Sequence, residues 1–303
     1  MNLSQSPLRG GGGMGRGMQL IDFTSGVPVS GSLDVQWIHG SPSAKHNTDP
    51  DIQVHFYNEH TVILRQNKAV HYEAPFMFLL FGNTRAVLID TGATESAEWF
   101  PLRRTVDDLI ERRLAGHPRD DYGLLVLHTH AHDDHVQGDA QFTDRPGTTV
   151  VDAGLGAVRD HFGFADEPEK VAHVDLGGRV LECLLTPGHH RAAVTFYDPY
   201  TGLLLTGDTI YRGRLYVEDW AAFHRTVGRL VEFAGTRPVT HVLGCHIEMT
   251  SEPGVDYRIG TTYQPDEPPL QMTVDQLRDV QAAVEEIGAR PGRYAFPDFM
   301  IWR

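Results

Sequence analysis

Cysteine is nearly missing from this chain: Cys183 and Cys245 are the only two in 303 residues. They are far apart and form no Cys-x-x-Cys pair, which argues against a disulfide framework and suits a reducing compartment. Long apolar runs are missing too. No stretch reaches the roughly 18 apolar residues that a membrane span needs. The start, Met1-Asn2-Leu3-Ser4-Gln5, carries no apolar signal region, so the expectation is a cytoplasmic protein without a membrane partner. Positive charge is short, with 26 Lys and Arg against 40 Asp and Glu, a formal net charge of −14. Phosphate backbones repel such a surface unless a local basic stripe exists. The pairs Arg103-Arg104 and Arg112-Arg113 share their helical stretch with Asp107, Asp108 and Glu111, so they read as a mixed solvated face and no nucleic acid is expected. Neither GxGxxG nor GxxxxGK[ST] occurs, which argues against the nucleotide-binding folds. No short-period repeat is present.

What remains, 41% hydrophobic and 22% charged residues, is an ordinary globular composition. Residues 8–18 hold six glycines, whose backbone entropy disfavours order. Residues 1–32 are therefore expected as a flexible tail, and 33–303 as a single domain with an irregular lead-in over 33–50. Apolar runs predict strands near 52–57, 61–66, 75–82, 85–90, 124–127, 148–151, 179–186, 192–198, 202–207 and 239–243. Helical spacing predicts helices over 102–114, 153–163, 219–235 and 274–288. Residues 164–175 read as a surface connection and 250–273 as a proline-rich loop. The mixed order of strands and helices indicates an α/β fold.

The densest chemistry follows the run Leu124-Leu125-Val126-Leu127. Residues 128–135 read His-Thr-His-Ala-His-Asp-Asp-His, a His-x-His-x-Asp-His pattern of His130, His132, Asp134 and His135. Neutral imidazoles and a carboxylate are what zinc, iron or manganese bind. A loop just past a strand end holds such ligands rigidly and leaves them open to substrate. A buried cluster of this kind without a cation would repel itself or stay unsatisfied. Three later segments each place one metal-competent group on a glycine turn after an apolar run: His189 in Thr186-Pro187-Gly188-His189, Asp208 in Thr206-Gly207-Asp208, and His246 in Gly244-Cys245-His246. Each alone is weak, since Gly-Asp after a strand is usually only a turn; together they reinforce the cluster. Asp90-Thr91-Gly92 ends another strand and could orient a ligand.

These five segments, in their order along the chain from Asp90-Thr91-Gly92 to Gly244-Cys245-His246, resemble the motifs of the metallo-β-lactamase fold superfamily, and most of all its glyoxalase II-like hydrolase branch. The resemblance spans roughly residues 52–290. It implies a four-layer αββα sandwich with the site on one edge between two similar halves. Carried over by position, His130, His132 and His189 would hold one metal, and Asp134, His135 and His246 a second. Asp208 would bridge them, and Asp90 would support the metal loop. Antibiotic-destroying relatives commonly carry cysteine where this chain has Asp208, which speaks against β-lactamase activity.

The expected cofactors are thus two divalent ions, zinc by default and iron or manganese as alternatives. The expected activity is hydrolysis of a small ester, thioester or lactone by a hydroxide shared between the metals, with Asp134 and Asp208 central to catalysis. A phosphodiesterase of the same fold, an iron-dependent redox enzyme and a non-catalytic metal-binding sensor are the rival readings. A homo-oligomer is allowed by everything above. Among the neighbours, His128 reads as a hydrogen bonder at a strand end, Asp133 as pointing away from the metals, and Cys245 as an inert buried thiol. His190 and Arg191 read as turn residues. Tyr211, Tyr216 and Tyr263, with Arg212 and Tyr257, are candidates to line a substrate pocket.

Overall fold

The computed structural model describes residues 20–24 and 26–303. Two six-stranded sheets face each other. The first is built from β1 (Ile52–Asn58), β2 (Thr61–Gln66), β3 (Phe76–Phe81), β4 (Arg85–Ile89), β5 (Gly123–Leu127) and β6 (Thr148–Val150) in that spatial order. Helix α1 (Leu102–Gly116) connects β4 to β5, and the short α2 (Asp133–Val136) and α3 (Leu155–Phe162) flank β6 in sequence. The second sheet uses β7 (Ala172–Asp175), β8 (Val180–Leu185), β9 (Val194–Asp198), β10 (Leu203–Gly207), β12 (His241–Gly244) and β13 (Gln271–Met272), in the order β13-β12-β10-β9-β8-β7. Between β10 and β12 in sequence come β11 (Arg214–Tyr216) and α4 (Trp220–Gly235). After β13 come α5 (Val274–Ile287), β14 (Arg293–Ala295) and β15 (Met300–Trp302), and β11, β15 and β14 form a small third sheet.

The strand patterns explain the layering. β2, β3 and β10 are buried at every position, as expected for strands covered on both faces. Ile63, Phe76, Phe78, Leu80, Val87 and Leu125 point inward against Leu181, Leu185, Phe196, Leu205 and Leu243, making the core between the sheets. The alternate residues Val62, Leu64, Met77, Leu79, Leu88 and Val126 face out to Leu102, Val106 and Ile110 of α1. On the other side Leu184, Tyr197, Leu204 and Val242 meet Phe223, Val227 and Leu230 of α4 and Leu277, Val280 and Val284 of α5. Period-2 alternation in two sheets thus builds three apolar interfaces and an αββα sandwich, the architecture that the resemblance implied.

Three local readings need correction. The tail assigned to 1–32 includes 1–19 and 25, which lie outside the described residues, but its last third is fastened down. Phe23 is buried edge-on to Tyr200, Ile21 N donates to Asn83 Oδ1, and Val29 N and Ser32 N donate to the Tyr200 and Tyr57 carbonyls. The "surface connection" at 164–175 contains β7 and the fully buried Phe164; its Ala-His-Val-Asp alternation is too short to stand out from a polar neighbourhood. The small third sheet was also missed, because three-residue strands leave almost no periodic signal. No helix among the described residues is long and apolar enough to cross a membrane. Both cysteines are free and buried.

Candidate metal centre

One end of the sandwich collects side chains from the ends of four strands. β5 runs out into His130 and His132, and α2 carries Asp134 and His135. His189 follows β8, Asp208 follows β10 and His246 follows β12. Two glycines permit this convergence. A Cβ on Gly207 would lie 2.5 Å from the Thr129 side chain, and one on Gly188 would lie 2.5 Å from the Phe223 backbone. Both have positive φ, so glycine satisfies a conformational and a steric requirement at once.

The residues gather into two groups whose ligand atoms lie within 4.8 Å of one another, His130/His132/His189 and Asp134/His135/Asp208/His246. In the first, His130 Nε2 is 3.0 Å from His132 Nδ1, and His189 Nε2 is 3.3 and 3.1 Å from these two atoms. A tetrahedral zinc holding nitrogens at about 2.0–2.1 Å would keep them about 3.3 Å apart. In the second, Asp134 Oδ2 is 3.1 Å from His246 Nε2 and 3.4 Å from His135 Nε2, and those two nitrogens are 3.4 Å apart. Asp208 stands between the groups. Its Oδ1 is 3.4 Å from His246 Nε2 and 3.6 Å from His135 Nε2, while Oδ2 is 3.9 Å from His189 Nε2.

The outer ring nitrogens decide which lone pairs face inward. His189 Nδ1 donates to the Tyr216 carbonyl at 2.9 Å, and His246 Nδ1 to the Glu73 carbonyl at 3.1 Å. His135 Nδ1 donates to Asp90 Oδ2 at 2.9 Å. Thr129 gives its hydroxyl proton to Asp90 Oδ2, so His130 Nδ1 donates to the Thr129 oxygen at 3.1 Å. Each of these four rings then presents an Nε2 lone pair to the centre, a tautomer chosen by its outer partner. Several lone pairs facing one point repel unless a cation or protons lie between them. Asp208 Oδ1 agrees: it is buried without a hydrogen-bond partner, and such an atom is costly to leave unsatisfied. The donor set therefore fits divalent metal.

Without a cation, protons would fill part of this role. Burial alone would lower the His135 and His246 pKa values, but Asp134 and Asp208 outweigh it, raising His135 well above its ordinary value and His246 to about 9. Burial likewise opposes ionisation of Asp134, yet His135 and His246 hold its carboxyl well below the usual carboxylate range. His130 moves the other way, depressed by burial and by the neighbouring histidines. Asp134 and Asp208 thus favour positive charge at His135 and His246.

The neighbouring residues now have places. Asp90, fully buried at φ +67°, accepts from Thr129 N, Thr129 Oγ1, His135 Nδ1 and Cys245 Sγ. Four donors hold a left-handed backbone that a non-glycine residue rarely adopts. His128 turns away from the centre to the Val151 carbonyl and Asp139, as expected of it. Asp133 is exposed, and His190 packs its ring against those of His132 and His130. Tyr211 does not line an open pocket: it is buried, and its hydroxyl bonds the Arg214 carbonyl and Glu248. Tyr216 serves through its carbonyl, its hydroxyl accepting from Arg214 Nε. Tyr263 bridges Gly40 beside His39, Tyr257 OH accepts from Asp266 N, and Arg212 pairs with Asp298.

Sequence reasoning missed the loop between β2 and β3. There Glu73 lends its carbonyl to His246, and buried Lys68 donates to the Tyr72 carbonyl. Backbone carbonyls have no sequence signature. Glu218, 3.7 Å from His132 Nε2, was missed as well.

Comparison with known proteins agrees with this architecture. Among solved structures, a metallo-β-lactamase from Pontibacter korlensis superposes with a TM-score of 0.52 over 77% of this chain and 99% of its own, at 17% identity. At such identity the likeness concerns the fold. A hydroxyacylglutathione hydrolase of Pseudomonas aeruginosa is 35% identical over 135 residues, 42% of this chain and 50% of that protein. A human protein, acyl-coenzyme A thioesterase MBLAC2, is 27% identical over 205 residues, 56% of this chain and 72% of its own. The chain spans about half the length of the hydroxyacylglutathione hydrolases it matches. Residues 73–243, more than half of the chain, match the sequence profile of the family. The chain belongs to the metallo-β-lactamase superfamily.

Proposed function

We propose that this chain is a cytoplasmic hydrolase that uses two divalent metal ions to cleave a small acyl substrate, a thioester first and an ester or lactone next, with 33–303 as its catalytic unit. His130, His132 and His189 would hold one ion, Asp134, His135 and His246 the other, and Asp208 one oxygen toward each. The observation that most supports this reading is the convergence of the other six side chains around Asp208, whose Oδ1 has no hydrogen-bond partner. Similarity to an acylglutathione hydrolase and an acyl-coenzyme A thioesterase favours thioesters within the acyl class.

When bound, divalent metal supplies a Lewis acid and makes water deprotonation accessible near neutral pH. The chain supplies the rest. The Tyr216 and Glu73 carbonyls and Asp90 fix three imidazoles with their lone pairs inward, so little reorganisation is needed when charge develops. Asp134 and Asp208 balance the cationic charge. Asp208, His130, His135, His189 and His246 are buried, whereas the His132 side chain is 38% and Asp134 20% exposed. Substrate therefore approaches over His132 and Asp134, and the buried side excludes water.

Elemental analysis beside a hydrolase panel tests the proposal. Two equivalents of metal with turnover of a generic thioester are expected. Folded protein that retains less than one equivalent after reconstitution, or that turns over no thioester, ester or lactone, would overturn it.

A further inference from the structure

Four of the five clustered histidines have an outer nitrogen held by a hydrogen bond of 2.9–3.1 Å. His132 differs. It points Nδ1 inward, and its outer Nε2 faces the carboxylate of Glu218, with Oε1 at 3.7 Å. That is about half an ångström beyond hydrogen-bond length. The backbone that carries Glu218 is firmly placed: Glu218 N and Asp219 N both donate to the Gly188 carbonyl, at 2.9 and 3.0 Å, on the turn that presents His189. Asp219 then caps α4 by accepting from Ala222 N. The segment that fixes His189 therefore also aims a carboxylate at the outer edge of His132.

We propose that Glu218 is a positioning residue for His132, taking the Nε2 proton so that Nδ1 is held as a ligand in the three-histidine group. The inference rests on the metal reading above. Its chemistry is that of a carboxylate paired with a ligating imidazole: the pairing fixes ring orientation and makes the ligand more basic. A cation at Nδ1 acidifies the Nε2 proton, so the pairing contributes most in the loaded protein. It also gives the most exposed ring of the cluster the outer restraint that hydrogen bonds give the others.

The test compares wild type, Glu218→Ala and Glu218→Gln by competitive zinc titration and by the visible absorption of the cobalt-substituted proteins. Glu218 is 58% exposed, so the variants should fold, which circular dichroism checks. In Glu218→Ala one of the two equivalents should bind about 10- to 100-fold more weakly, the usual cost of removing an outer partner, and the cobalt bands should shift. Glu218→Gln, whose amide oxygen still accepts, should recover most of the affinity. Wild-type affinity and spectrum for both equivalents in Glu218→Ala would overturn the proposal, and a change confined to KM would do the same by assigning Glu218 to substrate. Wild-type protein that takes up no metal would instead overturn the underlying reading.

Discussion

Both ends of the sandwich gather histidines with carboxylates, five clustered histidines at one end and two at the other, and they dispose of their lone pairs differently. At the far end Glu59, His60 and His117 also lie within 4.8 Å of one another. There, however, Arg113 Nη1 donates to His60 Nδ1 at 3.2 Å. A guanidinium can only donate, so the inner lone pair of His60 is occupied and its proton sits on Nε2. His117 Nε2 is satisfied by Glu59 Oε1 at 3.1 Å. Burial and Arg113 push the His60 pKa down to about 4, and the guanidinium charge against its ring opposes a second cation there. At the metal end the outer partners are carbonyls and a carboxylate, which accept, and the lone pairs turn inward. Proximity of ligand types is therefore not enough; what sits behind each ring decides whether it can bind a cation. Beside His60, Arg179 shows what full pairing looks like. It is buried and forked onto Asp198, with further bonds to the His60 and Phe81 carbonyls and Thr61 Oγ1.

The contrast can be broken most decisively at the metal end. Asp208→Ala or His132→Ala should lose most bound metal and lower kcat/KM for a thioester by about a thousand-fold, the effect of losing several kcal/mol of charge stabilisation. Metal analysis and steady-state kinetics check this, and a metal-free His132→Ala protein with full activity would refute it.

A second experiment sharpens the comparison through stability. Asp198→Ala leaves Arg179 buried and unpaired, which should cost about 3–5 kcal/mol in chemical denaturation. Metal stoichiometry of the folded fraction should stay at the wild-type value, because this pair lies at the other end. Loss of metal in the folded fraction would show that the two ends are coupled.

The smallest expected effect concerns protons. His60 is neutral when folded down to pH about 4, whereas an unfolded histidine protonates near 6.5. Between these values the unfolded chain binds the extra proton, so stability falls as pH drops from about 6.5 to about 4. His60→Gln should flatten that limb of a melting-temperature profile while leaving metal content unchanged, and so should have no effect on the near site. A metal loss in His60→Gln would mean that the far cluster binds a cation after all.

Legibility in the sequence followed the length of the signal. Strands such as Phe76–Phe81 and helices such as α4 and α5 carry apolar periodicity over many residues, and the expected boundaries lie within two or three residues of those observed. β7 and the third sheet rely on three or four residues each, where periodicity says little and pairing partners decide. The third sheet matters for the site, since β11 pairs with β15 and ends on Tyr216, whose carbonyl holds His189. Tyr211 misled for a related reason: its position three residues after Asp208 suggested the pocket, but Glu248 and the Arg214 carbonyl draw its hydroxyl inward.

From the order of residues alone came the ligand types, the strand-end turns that carry them and a mixed α/β fold, because covalent spacing and side-chain chemistry are local properties; the two-sheet sandwich came through the family resemblance of those motifs. Only the folded chain decided which nitrogen of each imidazole faces the centre and that the Glu59–His60–His117 cluster is closed. Those outcomes depend on hydrogen-bond partners dozens to more than a hundred residues away, such as Glu73 for His246 and Tyr216 for His189, and no local pattern encodes them.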